Sequence, residues 1–141
     1  GGFDYWEAYN NHHQNGYNVS GTVKSALIAD NIYSLSPYAN FSNCTFQSVY
    51  VVHSIDCKYF NINTIYNNKT EINVKASSFL SNSFKSCGMI NVSACSFKEN
   101  YYGDNDIINV SAHNMVSLNS FYDNDIVNIT CFNKSSLKLI L

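Results

Sequence analysis

The clearest regularity along the chain is an alternation of apolar and polar residues that returns at a fixed interval. Glu71-Ile72-Asn73-Val74-Lys75-Ala76, Met89-Ile90-Asn91-Val92-Ser93-Ala94, Ile107-Ile108-Asn109-Val110-Ser111-Ala112 and Ile126-Val127-Asn128-Ile129-Thr130-Cys131 align with offsets of 18, 18 and 19 residues. A period of two predicts strands whose successive side chains point to opposite faces. Ile72, Ile90, Ile108 and Val127 therefore share an inward column with the Val74 and Ala76 series, and Asn73, Asn91, Asn109 and Asn128 form an outward one.

The second half of each unit also repeats. Phe79-x-x-Asn82 matches Phe97-x-x-Asn100 and, with one residue inserted after Ala112, Val116-x-x-Asn119. Phe84, Tyr102 and Phe121 follow as an aromatic column predicted to fill the wider part of the core. A single short strand per unit cannot bury its own face, whereas stacked coils with in-register parallel strands about 4.8 Å apart make a continuous core. The fold expected is all-β: a right-handed parallel β-helix with coils of about 18–19 residues, a segment of a longer or assembling solenoid. A left-handed helix would need apolar residues at intervals of about six, and Ser78 and Ser96 stand at those positions.

Ile55, Cys57, Phe60-x-x-Asn63 and Ile65 fit the same frame, and Asn40–Phe46 resembles Asn91–Phe97, which would make Cys44 and Cys95 equivalent. Residues 38–141 are read as the repeats, and 1–37 as an N-terminal cap or divergent coils. Leu137, Leu139 and Leu141 alternate as one more strand with no polar cap after it. That pattern, and a start at Gly1-Gly2, suggest a processed or excised piece, or head-to-tail self-association.

Composition narrows the function classes. Asn is abundant, Pro occurs once, charged residues are 13% and the net charge of −2 includes eight Lys and no Arg, so neither a nucleic-acid binder nor a disordered tail fits. No apolar run is long enough to span a bilayer as a helix. Phe-x-x-Asn at Phe60–Asn63, Phe79–Asn82, Phe97–Asn100 and Phe121–Asn124 resembles the recurring tetrapeptide of polymorphic-membrane-protein adhesins, across roughly residues 38–131. The resemblance implies a secreted right-handed β-helix acting in adhesion or as a surface scaffold, and supplies no catalytic residues.

Eight Asn-x-Ser/Thr sequons, at Asn18, Asn40, Asn43, Asn68, Asn91, Asn109, Asn128 and Asn133, point to N-linked glycans on an extracellular or cell-surface protein. The competing explanation for the outward column is an amide ladder. Of the five cysteines, Cys57 and Cys131 fall in the small inward column, Cys87 has no evident partner, and no disulfide framework emerges. Asp104 and Asp106 recur one coil on as Asp123 and Asp125. Stacked acids can bind a cation or do acid/base chemistry, but Asp-Asn pairs are also ordinary turn formers, and that explanation is preferred. His12-His13 lacks a third metal ligand, and Trp6 with Tyr5 and Tyr9 fits a capping group better than a sugar platform. No cofactor is expected. The function expected is a non-catalytic extracellular glycoprotein module serving as scaffold, adhesin or filament-forming subunit, with a polysaccharide lyase or hydrolase on the same fold as the alternative.

Overall fold

Each repeat carries one long alternating run and one short one, and these become two strands per coil. The computed structural model describes residues 2–3, 21–28, 31–34, 38–47, 49–133 and 137–140. Over the described residues it is an all-β parallel solenoid of about five turns, 69% strand and without helix. The long strands Val52–Asn61, Glu71–Leu80, Met89–Lys98 and Ile107–Tyr122 lie side by side. The short strands Thr64–Tyr66, Ser83–Lys85 and Tyr101–Gly103 build a second face that ends on Ser120–Tyr122. Ile126–Cys131 and Leu137–Ile140 pair with successive parts of Ile107–Tyr122.

The register matches the repeat alignment residue for residue. Ile72 lies opposite Ile90, Ile90 opposite Ile108 and Ile108 opposite Val127. Ala94 faces Ala112 while Ser96 faces Met115, so the extra residue of the longer repeat is absorbed as a bulge where the alignment put it.

One alignment needs correction. Phe41 pairs with Phe60 and Asn40 with Tyr59, so Asn40–Phe46 does not share the register of Asn91–Phe97. Cys44 is consequently buried in the column of Asn63, whereas Cys95 lies exposed on the outer face. Both registers would bury Phe41, but the seven-residue likeness would turn the polar Asn43 into the inward Ala94 column, whereas the observed register leaves Asn43 exposed at a left-handed corner and buries Cys44 instead. Residues 21–28 join the same frame, with Val23 opposite Phe41 and Ile28 opposite Phe46. Trp6, Tyr5, Tyr9, His12, His13 and Asn18 lie outside the described residues.

The core is a double file of rings. Phe60, Phe79 and Phe97 stack at centroid separations of 5.2 and 5.3 Å, and Phe84, Tyr102 and Phe121 at 4.9 and 5.3 Å. The files touch where Phe79 meets Phe84 and Phe97 meets Tyr102, both at 5.9 Å. Ile, Val and Ala columns complete the interior.

Corners are made by left-handed residues. Ser25, Asn43, Ile62, Ser81, Glu99 and Leu118 form one such column, and Asn67, Ser86, Asp104 and Asp123 another, all with φ between 54° and 59°. That conformation costs an L-residue roughly 1–2 kcal/mol, so something must offset it at every corner. At Gly88 the coils approach so closely that an added Cβ would stand 2.4 Å from the Lys69 carbonyl oxygen, which explains the residue chosen there.

Candidate functional site

At most corners the offset comes from an Asn that follows the left-handed residue; Ala26, Cys44 and Cys87 take that place after Ser25, Asn43 and Ser86. Asn63, Asn82, Asn100 and Asn119 are buried at the first corner. Each of the last three accepts, at its Oδ1, a hydrogen bond of 2.9 Å from the backbone N–H of the Asn one coil earlier. Their Nδ2 groups donate to the carbonyls of Phe60, Phe79 and Phe97 at 2.8, 3.1 and 3.1 Å. A corner column thus satisfies backbone groups that burial would otherwise leave unpaired.

The second corner repeats the device. Asn105 is buried, its Nδ2 donating to the Phe84 carbonyl at 3.2 Å, and the Asn124 Nδ2 donates to that of Tyr102 at 3.0 Å. Cys87 sits in this column, its N–H donating to Asn105 Oδ1 at 2.9 Å. Phe-x-x-Asn is therefore the sequence trace of either corner. Phe121–Asn124 belongs to the second, with Phe121 opposite Tyr102, so it stands in a different column from the other three.

This arrangement decides the position of the acidic quartet. Asp104, Asp106, Asp123 and Asp125 are exposed and flank inward-turned Asn105 and Asn124. Asp104 and Asp123 hold the left-handed corner positions, their consecutive stacking set by the pairing of Gly103 with Tyr122. Among the described residues no group of three or more His, Cys, Asp or Glu side chains is arranged to hold a metal ion.

The sequons divide by position. Asn68 is buried, donating through Nδ2 to the Val51 carbonyl at 3.1 Å: it is a second-corner residue, set apart from the outward sequon column of Asn91, Asn109 and Asn128. Asn43, Asn128 and Asn133 are exposed and Asn40 is half-buried. Asn91 and Asn109 point outward, as the alternation requires, yet are only half-buried because the column is a ladder. Asn91, Asn109 and Asn128 each donate through Nδ2 to the preceding Oδ1, at 2.8, 2.9 and 2.9 Å. The Asn91 amide also donates to Glu71 Oε1 at 3.2 Å, which engages both its hydrogens.

Beside this ladder runs a groove of about 520 Å³. One wall is the column Tyr33, Ser54, Asn73, Asn91, Asn109 and Asn128; the other is Asp56, Lys75, Ser93, Ser111 and Thr130. Between them lie Ile55, Val74, Val92 and Val110, whose side chains are buried, so the floor is main chain. A smaller cavity of about 360 Å³ adjoins it, with Asp56, Lys75 and Ser93 shared and Cys95 and His113 on its far side. Sequence reasoning identified the Asn column of one wall as outward but not the trough beside it, because curvature has no signature in an alternating pattern.

The buried ionisable groups are structural. Desolvation pushes the Cys57 thiol up to about 12 and that of Cys87 to about 11, and all five cysteines are free. His53, fully buried in the column of Ile72, accepts a 3.1 Å hydrogen bond at Nδ1 from the Ile32 N–H. Its pKa is lowered to about 4 by burial. Sequence inspection had passed it over, although a His in an aliphatic column is a visible departure.

Against this geometry, no protein-family model, curated protein or solved structure matches the chain.

Proposed function

We propose that this chain is a non-catalytic, extracellular β-solenoid module that serves as a scaffold and adhesive surface and carries N-linked glycans at its exposed sequons. The supporting observation is the groove, whose walls are a succession of amides and hydroxyls with a single carboxylate, Asp56, and a single ammonium, Lys75. Hydrolysis of a glycosidic bond ordinarily uses two carboxyl groups about 5–9.5 Å apart, so this lining suits holding a ligand rather than cleaving it. Glycans favour the exposed Asn43 and Asn133 over Asn91 and Asn109, where one amide hydrogen would have to leave the ladder.

Expression through a eukaryotic secretory pathway tests the proposal. Intact mass should exceed the polypeptide and fall on enzymatic deglycosylation, with glycopeptides mapping to Asn43 and Asn133. Incubation with labelled neutral and acidic polysaccharides should release no new reducing ends. An unmodified mass in that host, or release of products abolished by Asp56→Asn, would overturn it.

A further inference from the structure

We infer that the groove between the outward Asn ladder and the Ser column is a binding site for an unbranched neutral polysaccharide, laid along the solenoid axis with one sugar per coil. This rests on the binding-surface reading above and adds the class of ligand.

The first argument is geometric. Groove positions repeat at the coil spacing, about 4.8 Å, which is close to the rise of one β-linked pyranose in an extended chain. From Tyr33 to Asn128 the wall crosses five coil steps, or about 24 Å, room for about five sugars. The volume of about 520 Å³ lies within the usual range for ligand sites.

Wall chemistry supplies the second argument. Each carbonyl of Asn73, Asn91 and Asn109 accepts one ladder hydrogen bond and has a second lone pair, while the Ser and Thr hydroxyls opposite can donate or accept. Such a surface complements sugar hydroxyls, which also do both. Asp56 and Lys75 face each other on adjacent coils, so the charges of the groove cancel, which disfavours polyanions. Tyr33 stands at one end of the wall, more than a third exposed, as a ring on which a terminal sugar can pack.

The third argument separates a glycan from a peptide. Recognition of an extended peptide by strand addition needs free main-chain groups at a sheet edge. Here the floor strands are paired on both sides through coils 71–76, 89–94 and 107–112, so only side chains are on offer.

Calorimetric titration with neutral β-linked gluco-, manno- and N-acetylglucosamine oligosaccharides of one to six units, and with a sulfated oligosaccharide, tests the inference. Affinity should rise with length to about five units and then level. Ser93→Trp and Ser111→Trp, each placing a ring in the trough from an exposed position, should weaken binding by about tenfold or more with melting temperature unchanged. Should either fold poorly, Tyr33→Ala provides an independent check: it should weaken the longest ligand about threefold and leave the trisaccharide unaffected.

No binding by any neutral series, binding that survives these substitutions, or preferential salt-sensitive binding of the sulfated chain would overturn the inference. Adhesion to cells or proteins that Ser93→Trp abolishes, with no glycan bound, would sink the polysaccharide assignment and leave the adhesive role standing. Release of reducing ends would do the reverse, removing the non-catalytic role while the ligand class stands.

Discussion

Two kinds of asparagine column run along this solenoid with the same side chain and the same pitch, and they do different work. The corner column Asn63, Asn82, Asn100 and Asn119 is buried, and its amides hold backbone groups of the neighbouring coils. The outward column Asn73, Asn91, Asn109 and Asn128 bonds along itself and borders the groove. Burial makes the difference. Inside, an unmade hydrogen bond leaves a group with no water to replace its partner, whereas outside water substitutes at little cost. The inner ladder is therefore read as fixing the coil, and the outer one as leaving hydrogen-bonding capacity for a ligand.

The largest effect should come from cutting the inner ladder. Asn100→Ala removes the acceptor of the Asn82 N–H and Nδ2 and the donor to the Phe79 carbonyl and Asn119 Oδ1. We expect a loss of about 3–5 kcal/mol in urea denaturation. A loss below about 1 kcal/mol would mean that inner and outer columns are equivalent after all.

Next comes His53, an interior polar group outside any ladder. Its pKa is near 4 in the folded chain and ordinarily 6.5, so the unfolded chain takes up a proton in acid before the folded one does. The neutral imidazole's contribution to stability is fully present above pH 6.5. It falls as pH drops towards 4, by about 3 kcal/mol in total. The urea midpoint should decline across that window, and His53→Ile, which restores the aliphatic column, should flatten the decline.

Tyr102 inverts the sign. Its hydroxyl is buried in the ring file without a hydrogen-bond partner among the described residues. Tyr102→Phe should keep the stack and raise stability by about 1 kcal/mol, read from the melting temperature. A fall would reveal a partner for the phenol.

The smallest effect belongs to the outer ladder. Asn109→Ala should cost less than about 1 kcal/mol, because water takes over the exposed ends of the broken chain. Combined with a measurable loss of oligosaccharide affinity, that result would separate the two columns as structural and ligand-facing.

The alternation of residues 71–131 was enough to assign inward and outward columns, coil length and the position of the bulge, because period-two burial is a local property of a strand. It also placed Phe84, Tyr102 and Phe121 inside. What it left open depended on which coil lies beside which. Two corners using one local motif look alike along the chain, so Phe121–Asn124 and Asn40–Phe46 could be assigned only once the strands were in register. Asn68 carries an outward-seeming sequon, yet the left-handed Asn67 before it turns the amide into the core. The groove is likewise tertiary, since a trough forms only when inward-turned residues on successive coils line up between two outward columns. Sequence by itself determined which face each side chain takes within a strand, through the fixed two-residue repeat of extended backbone. The stacking of coils decided which exposed faces became a site, because distances across the solenoid are set by hydrogen bonds between residues 18 or 19 apart.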